Sequence, residues 1–236
     1  MDWQLLALSP PGWGGVLLAG FLHSLEIAIG GFGLGLVLGL GGAMGKLYGG
    51  EVLRDLMEVY TILVRAVPEL VLILLLYYAG TDLLNRSLAL AGRGPVDISG
   101  LAAGIFVIGV VQGAYATEVI RGAIQSIAPG QIEAGRAFGM SGLQVLRRIT
   151  LPAMLPFAIP GLANLWLANT KDTALLAVVG FTELTLATRQ AAGATKHYLT
   201  FYMAAGVLYL ALTLVSTLAL GRLERWSRRS QIGARA

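Results

Sequence analysis

The residues able to do ionic or acid–base chemistry in this sequence stand inside or beside apolar runs. Arg65 and Glu69 flank Pro68 four residues apart, Glu118 precedes Arg121 by three, and Lys171, Asp172 and Thr173 interrupt an otherwise apolar stretch. Glu26 lies about a third of the way along the first apolar run. A charge at the centre of a bilayer costs about 2.5–3.5 kcal/mol on insertion scales, so each of these needs a partner or a task. Arg65 and Glu69 have the spacing of neighbours on one helix face. They make a structural pair, or Glu69 faces a translocation path and meets a cationic group. Glu118 reads as an interfacial salt bridge with Arg121, or as a second acid on the path. Lys171 and Asp172 are adjacent and point about 100° apart on a helix, so they cannot share a face. Each finds its own partner, or the helix breaks there; the alternatives are neutralisation for packing and a gate.

A second polar stretch, 127–162, carries small and basic residues between apolar runs. Pro129 suits the first turn of a helix. Gly139 suits its left-handed stop. Ser141 and Gln144 have capping-box spacing for a second helix. Pro152, Pro156 and Pro160 recur every four residues. Each removes a helix donor, so they predict a kinked start, with the chain running along the interface before it turns into the bilayer.

Other chemistries are excluded. There is no cysteine, and His23 and His197 have no metal-ligand spacing, so no metal site is expected. No G-x-x-x-x-G-K-S/T phosphate loop, G-x-S-x-G elbow or H-E-x-x-H pair occurs. Work against a gradient would therefore draw on another subunit or an ion.

The elements that must position these residues are membrane spans. Of the 236 residues, 56% are hydrophobic and only 13% charged, about half the charge of a soluble domain. The pI near 9.6 fits basic loops rather than nucleic-acid binding. Five apolar segments can cross roughly 30 Å of hydrocarbon: 16–42, 57–79, 101–120, 155–179 and 199–220. The first basic residue is Lys46, so the first run lacks a leader's charged start and is expected to be a span. Gly31, Gly35 and Gly39 in that span have small-xxx-small spacing, read as packing. Between the spans, 81–99 reads as a loop with one short helix, and 181–197 as a short helix at or dipping into the surface. Lys46, Arg54, Arg121, Arg136, Arg147, Arg148 and the arginines of 222–235 fall on one side, against Arg86, Arg93, Arg189 and Lys196 on the other. That bias predicts an outside N-terminus and a cytoplasmic tail. Arg225, Trp226, Arg228 and Arg229 would anchor the tail at the interface. No internal repeat or composition break divides the chain, so 1–236 reads as one transmembrane domain, with a cytoplasmic loop at about 121–151.

Glu133, Ala134, Gly135, Gly139, Ile149, Leu151 and Pro152 resemble the "EAA" signature of ABC importer permeases: E-A-A, three residues, G, nine residues, I, one residue, L-P. Gly135 replaces the second alanine. Arg65, Pro68 and Leu70 resemble the R-G-x-P-x-L segment of polar amino-acid permeases, with Ala66 for glycine. Glu118, Arg121, Gly122 and Ser126 resemble their A-E-x-x-R-G-A-I-x-S block. Pro160, Gly161 and Asn164 with Lys171, Asp172 and Thr173 resemble their P-G-x-x-N and K-D-S/T blocks. Gly45 and Lys46, Glu69, and the 188–190 turn look most like the HisQ-type subunits of histidine, lysine, arginine and ornithine importers; octopine and nopaline permeases look similar.

This resemblance implies an all-α, five-span, type I (MetI-like) permease in a bacterial inner membrane, N-out and C-in. It would pair as a heterodimer with a second, HisM-like permease, and bind two copies of a cytoplasmic ATPase that carries ATP and Mg. A periplasmic amino-acid-binding protein would deliver substrate. The helix from Gln131 would be the coupling helix, docking through Glu133, Ala134, Gly135, Arg136 and Gly139. Arg65, Glu69, Glu118, Lys171, Asp172 and Thr173 are the candidates for path or gate. The cargo expected is a polar, basic amino acid, with opines and glutamine or glutamate as alternatives. An ion-coupled secondary transporter is the rival of another class, although it would usually show inverted repeats.

Overall fold

The computed structural model describes residues 3–94 and 99–232, and all regular structure within them is helical. Helices α1 (Gly14–Tyr48), α2 (Glu51–Ala66), α3 (Glu69–Leu90) and α4 (Gly100–Gln125) make the first half. A polar segment follows, with α5 (Pro129–Ala137), α6 (Gly142–Val145) and a π turn at Leu146–Thr150. The π turn feeds α7 (Leu151–Asp172), which tightens into a 3-10 run, Thr173–Val179. Helices α8 (Leu184–Thr195) and α9 (Tyr198–Ile232) complete the chain.

Four of these units are long and apolar enough to cross a membrane: α1, α4, the continuous 142–179 run and α9. The second expected span, 57–79, is not one helix. It is divided between α2 and α3, which meet at a 118° bend. The reason is Pro68: it has no N–H to donate, and it drives Val67 into extended backbone (ψ 138°). Counted as one broken span, the α2–α3 pair brings the total to five. The loop expected at 81–99 is shorter too, because α3 runs on to Leu90; Pro95 lies outside the described residues.

The helical pair at the centre is α1 with α4. Here the glycines of α1 act by absence of side chain. A Cβ on Gly35 would sit 2.9 Å from the Cβ of Gln112, and one on Gly31 would strike Ile108 at 2.6 Å. The register climbs together (Gly31 on Ile108, Gly35 on Gln112, Gly42 on Thr117), so α1 and α4 run parallel. Helix α7 runs against them: Gly161 meets Val119 near the end of α4, and Asn169 donates to the Ala28 carbonyl at 2.8 Å. Helix α9 returns antiparallel to α7, joined by Trp166 Nε1 donating to Ser216 Oγ.

The proline row, expected to give a kinked start, lies in α7 just after the π turn that opens it. The helix runs unbroken through Pro156 and Pro160. A proline ring clashes with the carbonyl four residues earlier, and the widened π turn that ends at Thr150 leaves room before Pro152. The 181–197 segment does form a short helix, α8, packed inward with Leu184, Ala187, Ala191 and Ala192 fully buried. Its N-cap is Glu183, whose carboxylate accepts from the Leu186 and Thr185 amides at 2.7 and 2.8 Å, from Ser24 Oγ on α1, and from Tyr209 Oη on α9. Burial pushes this carboxyl above its ordinary range, and the amide hydrogen bonds oppose that rise.

Candidate functional site

The polar segment begins as its sequence spacing requires. Pro129 stands in the first turn of α5. Gly139 takes the left-handed conformation (φ 74°) at its end. Met140 N donates to the Gly135 carbonyl at 3.1 Å and Gly139 N to the Arg136 carbonyl at 2.9 Å, the paired bonds of a Schellman stop. Ser141 opens α6 with a full capping box: its Oγ accepts from Gln144 N, and Gln144 Oε1 accepts from Ser141 N at 2.8 Å. Gly135 is buried, and a Cβ there would press on the Cδ1 of Ile149. Two spaced elements of the signature, Gly135 and Ile149, therefore touch and hold α5 against the π turn. Glu133, Ala134, Arg136 and Gly139 remain exposed. Beside them Phe138 is 86% exposed and Leu143 73%. Exposed apolar side chains thus stand next to fixed charges on a capped helix. Phe138 and Leu143 escaped the sequence reading because nothing in their spacing distinguishes them from core residues.

A second constellation ties α1, α2 and α4 together. Lys46 Nζ, its side chain 4% exposed, reaches Glu118 Oε1 at 2.5 Å, Glu58 Oε2 at 2.6 Å and Thr61 Oγ1 at 2.8 Å. The other Glu118 oxygen accepts from Arg121 at 2.7 Å and lies 4.0 Å from Arg65 Nη1. Glu118 is thus the hub of an ion network, with the salt bridge to Arg121 that its spacing suggested. Lys46, expected in the loop after the first span, lies inside the last turn of α1.

The third constellation forms where the broken span meets α7. Arg65 and Glu69 do not share a helix face: Arg65 ends α2 and Glu69 opens α3, on opposite sides of the Pro68 bend. Glu69 instead comes within interaction range of Asp172 and of Tyr115, and Arg65 acts on Tyr115 as well. Gln112 Nε2 donates to Asp172 Oδ2 at 3.2 Å. Two carboxylates from distant parts of the chain so converge with an amide and a phenol. Lys171 is exposed and takes the other direction, as the 100° step requires. Thr173 is buried and donates to the Thr170 carbonyl at 3.0 Å, serving the 3-10 turn. Glu26 is exposed on α1. Gln112 and Tyr115 were missed, although polar side chains inside the apolar run 101–120 were the signal. Among the described residues no cluster of acids and histidines suits a metal ion.

The family model for the inner membrane component of binding-protein-dependent transport systems matches residues 31–229. The chain belongs to that family. It is 42% identical over 214 residues to the histidine/lysine/arginine/ornithine transport system permease protein HisQ of Escherichia coli, covering 91% of this chain and 94% of that one. It is 40% identical over 232 residues to the nopaline transport system permease protein NocQ of Agrobacterium fabrum, covering 97% and 98%. The octopine transport system permease protein OccQ of Rhizobium radiobacter is 38% identical over 218 residues, 92% of each chain. A crystal structure of an amino acid ABC transporter with histidines superposes with a TM-score of 0.75 at 26% identity, over 90% of this chain and 94% of that one. The methionine transporter MetNI in an inward-facing conformation shares the fold, with a TM-score of 0.75 at 21% identity, over 93% of this chain and 99% of that one. This chain is therefore a multi-pass membrane permease subunit of an ABC transporter, not an enzyme.

Proposed function

We propose that this permease imports polar, basic amino acids across a bacterial inner membrane, as one transmembrane domain N-out and C-in. The observation that carries the reading is the convergence of Glu69 and Asp172 beside Gln112 and Tyr115. Paired, half-buried carboxylates attract a cation, and a substrate ammonium or guanidinium relieves their mutual repulsion. The relatives that transport histidine, lysine, arginine and ornithine support the same cargo. Nopaline is the second reading, favoured by the relative that matches 97% of this chain.

The α5–α6 face, with Glu133, Arg136, Phe138 and Leu143, docks on a cytoplasmic ATPase that binds ATP and Mg. A second permease subunit, HisM-like, completes the pathway, two ATPase copies sit below, and a periplasmic binding protein delivers cargo. Closure of the ATPases then moves α5, and α5 moves α4 through the short 126–128 link.

The test is uptake of radiolabelled L-arginine, L-histidine and L-lysine by the assembled transporter in proteoliposomes with internal ATP. Glu69→Gln should raise the KM for these cations about tenfold or more, the loss of one charged contact. Unchanged uptake would remove Glu69 from the path. Uptake by this subunit alone on an ion gradient would overturn the ATP-driven reading.

A further inference from the structure

Gln112 lies midway along α4, 2% exposed. Its Nε2 donates to Asp172 Oδ2, but its Oε1, equally buried, has no hydrogen-bond partner among the described residues. Turning the amide over does not cure this. The oxygen would then face a carboxylate, acceptor against acceptor, and the donor would be lost to Asp172. Most buried amides that serve only the fold satisfy both ends. Asn169 Oδ1 and Asn85 Oδ1 are also unmet, but of the three only Gln112 is bonded to an acid of the Glu69–Asp172 cluster. Nor is the side chain placed loosely: Gly35 lets the backbone of α1 come up against Gln112, with 2.9 Å left for a Cβ. The free acceptor is fixed beside Asp172 and within the same cluster as Glu69. The set Glu69, Asp172 and Gln112 Oε1 is rich in acceptors, and a cation bearing N–H groups completes it.

We propose that Gln112 is a specificity-determining residue of this permease, its Oε1 accepting an N–H from the cationic end of the substrate. This rests on the reading of the Glu69–Asp172 cluster as the substrate site. Glu69 and Asp172 select for positive charge, and Gln112 selects for a cation with a hydrogen to give. A quaternary ammonium of equal charge satisfies the carboxylates and leaves Oε1 unmet.

The experiment measures direct binding of L-lysine and of Nε,Nε,Nε-trimethyl-L-lysine to the purified permease–ATPase complex without binding protein. The unsubstituted complex should prefer lysine. Gln112→Leu should weaken lysine binding by at least about tenfold, the loss of a hydrogen bond to a charged group. Trimethyl-lysine affinity should change little, so the preference narrows. Loss of the Asp172 contact lowers both ligands alike, so equal losses, or an unchanged preference, overturn the proposal. If the leucine variant does not assemble, Gln112→Met keeps the length without the acceptor and must narrow the preference in the same way. Asp172→Asn separates the two levels of the argument. If lysine binding survives Asp172→Asn, the substrate-site reading itself fails. If Asp172→Asn weakens lysine while neither Gln112 variant narrows the preference, the role of Gln112 alone fails.

Discussion

Lys46 joins three helices through one nitrogen. Its two carboxylate partners differ: the Glu58 side chain is 55% exposed and screened by water, whereas that of Glu118 is 17% exposed. The Glu118 contact therefore carries most of the energy. Removing the lysine leaves Glu118 with Arg121 and the more distant Arg65, and leaves the Thr61 hydroxyl without its donor. Breaking a buried pair from one side typically costs about 3–5 kcal/mol, and the remaining arginines hold the loss to the lower end, about 3 kcal/mol. Lys46→Met should lower the unfolding free energy of the detergent-solubilised protein by that amount. Adding Glu118→Gln should cost less than the sum of the single changes, because the two share one interaction. Strict additivity in this double-mutant cycle would show that the contact contributes nothing.

At the scale of elements, glycines facing backbone and glycines facing a flexible tip behave differently. At Gly35 a new side chain meets the Cβ and main chain of Gln112, which cannot move without shifting α4. At Gly135 it meets the end of Ile149, which can turn to another rotamer. Gly35→Val should therefore destabilise by about 2 kcal/mol or more and disturb substrate binding through Gln112. Gly135→Ala, which restores the residue of the signature, should change stability by less than about 1 kcal/mol. Thermal unfolding of both variants decides it; equal losses would contradict the contact geometry. The same physics separates what was legible beforehand from what was not. Pro129, Gly139, Ser141 and Gln144 act within one turn of themselves, so spacing alone placed both short helices. The break at Pro68 was missed because hydropathy runs unbroken across it, and a proline beside two charges is also compatible with one helix. The Gln112–Asp172 contact joins residues 60 positions apart, and no local pattern encodes it.

For the whole molecule, the parallel course of α1 and α4 and the antiparallel course of α7 put Lys46, Arg121 and the α5–α6 face at one end of the bundle. Basic residues gather at that end, the arrangement that favours the cytoplasm. Arg93 follows α3 at the far end of the broken span. The sequence has no cysteine, so single cysteines report sidedness without a background. Cysteine at Arg93 should react with a membrane-impermeant maleimide added to intact spheroplasts. Cysteine at Arg136 should stay unlabelled there and react in inside-out vesicles. Arg136 also lies on the proposed docking face, so its labelling in those vesicles should be several-fold faster once the ATPase has been stripped by urea. Labelling of Arg136→Cys from the outside would invert the topology. Labelling from the inside at one rate, with or without ATPase, would keep the topology and remove α5 from the ATPase interface.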